Sequence, residues 1–115
     1  MLMLAFIASL RRISLQESIN KLKTYLGFSI KSNSIVFGYD NITKSKKNFD
    51  VVIFCSSASE KHIYPILNMG HKCVKLKQLV LGEIIGRDNV KVVAIKNYNL
   101  AKAVLAFDDL FETLN

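Results

Sequence analysis

The stretch Ile35-Val36-Phe37-Gly38-Tyr39-Asp40-Asn41-Ile42-Thr43-Lys44 carries the clearest chemistry in the chain. Three β-favouring residues run into a glycine, and polar residues suited to opening a helix follow. A strand that passes to a helix through Gly38 leaves the first helical N–H groups unpaired. With the positive end of the helix dipole, those donors make a seat for an anion such as a phosphate. Lys44, Lys46 and Lys47 come directly after. Asp40 and Asn41 suit either of two tasks, capping the helix or reading base edges in non-duplex RNA. Tyr39 suits stacking on a base or covering the junction. Gly38 suits a turn closed to residues with a Cβ, or a close backbone approach to a ligand.

Other reactive side chains form weaker patterns. Ser56, Ser57 and Ser59 lie near His62, but no glycine-flanked nucleophile elbow surrounds them. Ser57 and Glu60 instead have capping-box spacing. Cys55, His62, His71 and Cys73 match no zinc spacing. Both cysteines sit in apolar, strand-like runs, which implies buried, reduced thiols with the histidines at the surface. There is no GxGxxG and no phosphate-loop signature. Gly82 and Gly86 have dimer-motif spacing, but no apolar span contains them. The expectation is a protein without catalysis, cofactor or metal.

The bulk numbers agree with a polyanionic partner. The chain has 115 residues, enough for one domain with a core of its own. Half of the residues are hydrophobic, and 16 Lys and Arg against 9 Asp and Glu give a formal charge of +7. Such an excess points to nucleic acid first and an acidic membrane surface second. Met1–Leu10 is strongly apolar and precedes Arg11 and Arg12, the reverse of a secretory signal. Ten residues are too few to cross a bilayer. This segment reads as an extra helix over the core, a membrane-surface or partner-binding segment, or an over-early translational start. The first and third are preferred.

The elements that must position these residues alternate along the chain. Ser14–Glu17 has capping-box spacing, and Leu15, Ile19, Leu22, Leu26 and Ile30 then mark one helix face. Asn33 suits a left-handed C-cap. Ile35–Phe37 reads as a short strand, and Tyr39 to about Lys46 as a short helix. Val51–Cys55 is apolar on both faces, as a strand covered on both sides is. A helix follows Ser57–Glu60, with a kink or break expected at Pro65 and a stop at Gly70. Lys72–Leu76 alternates like a half-covered strand. Gln78–Ile85 reads as a helix ended by Gly86, and Val90–Ile95 as another buried strand. Leu100, Ala103, Val104, Phe107, Leu110, Phe111 and Leu114 form a last helical face.

Four of these stretches, in this order, resemble the ribosomal protein family L-seven-Ae and its relative L-thirty-e, in particular its short bacterial members. They are Leu26-Gly27-Phe28-Ser29, Val36-Phe37-Gly38-Tyr39-Asp40, Ser57-Ala58-Ser59-Glu60 and Leu81-Gly82-Glu83-Ile84-Ile85-Gly86-Arg87, the last followed by Val92-Val93-Ala94-Ile95. The likeness runs from about Ile19 to Leu105. It implies a kink-turn RNA binder whose glycine–x–asparagine–glutamate–x–x–lysine junction reads tandem sheared G·A pairs. The matching positions are Gly38 to Lys44. Asp40 and Asn41 stand where the family has asparagine and glutamate, and the basic cluster at the end of the first helix is reduced to Lys31. The loop matching Arg87-Asp88-Asn89-Val90 packs, in the family, against a flipped-out nucleotide.

The expected fold is therefore α/β, a three-layer α-β-α sandwich on a mixed four-stranded sheet. Residues 1–14 form an apolar extension and residues 15–115 the RNA-binding domain. The expected RNA-binding residues are Lys31, Asn33, Gly38, Tyr39, Asp40, Asn41, Lys44, Lys47, Arg87, Asp88, Asn89 and Val90, with Lys46 and Lys91 adding charge. The expected role is non-enzymatic binding of structured RNA in the cytoplasm by a monomer, ribosome-associated or RNA-scaffolding, with no stable membrane insertion. A protein-interaction module on the same fold is the alternative, with Met1–Leu10 as its docking element.

Overall fold

The structure is a computed structural model that describes residues 2–45, 47–77, 84–86, 90–107 and 109–115, and for residues 2–15 the backbone alone. It is a mixed α/β fold. Strands β1 (Ile35–Phe37), β2 (Val51–Phe54), β3 (Cys73–Leu76), β4 (Val92–Ile95) and β5 (Phe111–Thr113) form one sheet in the order β1-β4-β2-β3-β5. β2 and β3 are parallel, and β4 runs antiparallel to both β1 and β2. Helices α1 (Leu2–Lys31), α2 (Tyr39–Lys44), α3 (Glu60–Leu67) and α4 (Tyr98–Leu105) connect or flank them.

The two central strands show why continuous apolar runs were needed. Side chains alternate across a strand, so Val51, Ile53, Val93 and Ile95 enter one core cluster with Leu22 and Leu26 of α1 and Ala101 and Val104 of α4. Val52, Phe54, Val92 and Ala94 enter a second cluster with Ile42 of α2 and Ile63 and Ile66 of α3. Every residue of β2 and β4 is buried. The helical face read from α1 is there too, with Leu22 and Leu26 buried. Buried Ser29 joins it, its hydroxyl donating to the Tyr25 carbonyl at 3.0 Å.

Asn33 closes α1 in the left-handed region, with φ of 56°. The Ser34 amide reaches the Ser29 carbonyl (2.9 Å) and the Asn33 amide the Ile30 carbonyl (3.2 Å), the pair of bonds that defines a Schellman cap. Gly70, in the turn that follows α3, and Gly86, after helical Ile85, also have positive φ.

Several expectations are corrected. α1 passes through Ser14, which lies inside the helix and not at its cap, because Leu2–Leu10 contains good helix formers and no breaker. α3 begins at Glu60 after Ser59, so Ser57 is not its cap, and it continues through Pro65 to Leu67 without a break. The sheet has five strands, not four. The last helix stops at Leu105, and Phe111–Thr113 pairs antiparallel with β3. Phe111 then enters the first cluster and Leu114 packs on the second, opposite sides that a single helical face does not reach. With β5 beside it, β3 is covered more fully than a half-exposed strand, only Lys75 being partly open. His71 is buried and not at the surface. Its ring meets Phe49 edge-on at 5.4 Å, and its Nε2 has no hydrogen-bond partner. Of the expected helix Gln78–Ile85, residues 78–83 lie outside the described residues, as does most of Leu81–Arg87; Ile84 and Ile85 are helical.

Candidate nucleic-acid interface

Strand direction decides which of the expected site residues meet. The carboxyl ends of β1, β2 and β3 and the amino end of β4 lie at one end of the sheet, the end at which open α/β sheets hold their ligands. The Gly38 amide donates to the Val92 carbonyl (3.0 Å), and the Cys55 amide to the Lys91 carbonyl (2.7 Å). Two segments some fifty positions apart in the chain, the Gly38 junction and the residues just before β4, are thereby brought side by side.

Gly38 is the N-cap of α2 at φ 89° and ψ 148°. A Cβ built there meets no atom within 4 Å, so conformation and not crowding calls for glycine. No side chain caps α2. Asp40 and Asn41 therefore do not play the capping role open to them. Asn41 instead reaches back, its Nδ2 donating to the Phe37 carbonyl at 2.9 Å, which fixes the helix start against the strand end. Thr43 Oγ1 bonds the Tyr39 carbonyl at 3.0 Å. Ile42 is wholly buried and anchors the short helix, leaving Asp40, Asn41 and Lys44 exposed.

Tyr39 covers the junction. Its ring meets that of His62 edge-on, with centroids 4.9 Å apart, and it packs on the second core cluster. Between α2 and α3 lies a cavity of about 200 Å³, walled by Gly38, Tyr39, Ala58, His62 and Lys91. Lys91 Nζ donates to Ser57 Oγ at 2.9 Å, and Ser59 Oγ pairs with His62 Nδ1 at 3.2 Å. Ser57, expected to be a cap, orients an ammonium group at the cavity mouth instead. His62 and Ser57 are the residues that sequence reasoning did not attach to this site. Their link to it depends on the pairing of β4 between β1 and β2, which no local motif announces.

The remaining expected residues divide. Lys44 ends α2, roughly 9 Å along the helix from its start, and Lys47 is exposed in the loop beyond. Val90 is half-buried and packs on the first core cluster, so it faces inward. Arg87, Asp88, Asn89 and Lys46 lie outside the described residues. Lys31 and Asn33 precede β1 and so sit at its other end, with the whole strand, about 10 Å of extended chain, between them and Gly38. The structure does not bring them to the junction.

The thiols do not share a site. Cys55 belongs to the first core cluster and Cys73 to the second, on opposite faces of the sheet. Both are free and buried. Burial pushes the Cys73 thiol up to about 11, with the neighbouring Lys72 charge pulling the other way. Among the described residues no three His, Cys, Asp or Glu side chains gather as metal ligands would. No helix of the described residues is long and apolar enough to cross a membrane. Compared with known proteins, the chain matches no protein-family model and no curated protein sequence.

Proposed function

We propose that this chain is a non-enzymatic binder of structured, kink-turn-like RNA, acting in the cytoplasm as a ribosome-associated or RNA-scaffolding protein without a cofactor. The observation that carries this reading is the bond from the Gly38 amide to the Val92 carbonyl. It sets the exposed opening of α2 beside Lys91, a basic residue just past the second stretch that the L-seven-Ae resemblance assigns to RNA. Helices on both faces of a mixed sheet suit a three-layer sandwich of the L-thirty-e kind. In this reading Asn41 and Asp40 face base edges, Lys44 and Lys91 meet phosphates, and Tyr39 holds the junction's shape.

A titration tests it. The protein is expected to shift a kink-turn RNA at low micromolar concentration or better, and to prefer it to a version with its G·A pairs replaced. Equal, weak binding to both RNAs and to plain duplex would remove the RNA reading and leave the protein-interaction module.

A further inference from the structure

Lys31 and Asn33, which the fold carries away from the junction, lie at an organised pole of their own. The turn after α1 is tied to the end of β4 by the Lys96 amide on the Ser34 carbonyl (2.7 Å), and the chain entering β2 by the Asp50 amide on the Ile95 carbonyl (2.9 Å). Asn97 caps α4 at this pole, its Oδ1 accepting from the Leu100 amide at 3.0 Å. The cap places Tyr98 on the first turn of α4, where it is 68% exposed, more than any other large apolar side chain among the described residues. Lys102, one turn further on, holds its ammonium 6.0 Å from the Tyr98 ring centre. An open cavity of about 310 Å³ lies between Tyr98, Ala101, Lys102, Leu105 and Asp50. Lys31 and Lys96 are both exposed.

An exposed ring with Lys102 over it and Asp50 across the cavity, at a pole that also carries Lys31 and Lys96, suits a particular partner chemistry. A protein-binding patch concentrates contiguous apolar area and is depleted in lysine. Single-stranded nucleic acid is held the other way, with aromatic rings under successive bases and cations along the backbone. We propose that this pole is a second contact surface, at which Tyr98 stacks on an unpaired base while Lys31, Lys96 and Lys102 meet phosphates of the same strand. It lies at the opposite end of the sheet from the junction and needs nothing from it.

The test uses the full chain and a short oligouridine that forms no fold, followed by fluorescence anisotropy at low salt. Tyr98→Ala is expected to weaken binding about fivefold or more, and Tyr98→Phe to keep it. Lys96→Ala is expected to lower the slope of log affinity against log salt by about 0.7. Tyr98 is exposed, so an unchanged circular dichroism spectrum and melting curve are expected in each variant. A folded Tyr98→Ala protein that binds oligouridine like the parent would overturn the proposal. So would a concentration-dependent dimer abolished by Tyr98→Ala, which would assign the pole to a second copy of the chain. Lys44→Ala assayed on the kink-turn RNA reports on the junction separately, so failure at either end is distinguishable from failure at the other.

Discussion

Gly38 and Asn41 together hold the strand-to-helix junction, one by conformation and one by a bond. At φ 89° and ψ 148° with open space around it, Gly38→Ala is expected to cost about 1–3 kcal/mol through backbone strain alone, read from urea denaturation. Lys44 is exposed with no competing contact described. In the proposed complex Lys44→Ala should lower the salt slope of kink-turn binding by nearly one contact; an unchanged slope would remove it from the interface. Cys73 provides a pH signature. Its native thiol is held near 11 against an ordinary 9.0, so the folded state keeps its proton where the unfolded chain loses it. Stability from this group is complete below pH 9 and declines as pH rises towards 11. Denaturation midpoints across that window should fall for the parent and fall less for Cys73→Ala. Asn33 and Gly38 were readable as special positions because their residue types tolerate positive φ. The Asn41–Phe37 and Lys91–Ser57 bonds were not, since each is one of several that a flexible polar side chain can make, and tertiary placement selects among them.

At the scale of elements, the periodic segments were the legible ones. Leu22 and Leu26 define a helix face, and the doubly apolar Val51–Phe54 and Val92–Ile95 define covered strands. The chain after Leu105 was ambiguous because Leu110, Phe111 and Leu114 satisfy a helical spacing, while the sheet offers β3 an open edge that the segment fills. Phe111 is buried, and Phe111→Ala should cost about 3–5 kcal/mol, seen as a lowered denaturation midpoint. Pro65 sits inside α3, where its ring removes a helical hydrogen bond. Pro65→Ala should therefore stabilise the fold by about 2 kcal/mol, less any gain in unfolded-chain entropy.

Over the whole molecule, the charge of +7 acts through where the sheet places it. Lys91 falls at one end, and Lys31 and Lys96 at the other. In the proposed RNA complex, with about five phosphate contacts, affinity should drop by roughly two to three orders of magnitude between ~50 and ~200 mM salt; a flat profile would mean that the surface only solvates the fold. The strand order has a further, temporal consequence. β4 is the fourth strand to leave the ribosome, yet it lies between the first and second. Until residue 95 has emerged, β1 has no neighbour and β2 lacks one side, so a growing chain cannot zip up progressively from its amino end. β1 can join the sheet only after residue 95 has emerged, and arrest after residue 90 should leave a protease-sensitive nascent chain that becomes resistant only once β4 has slotted into place.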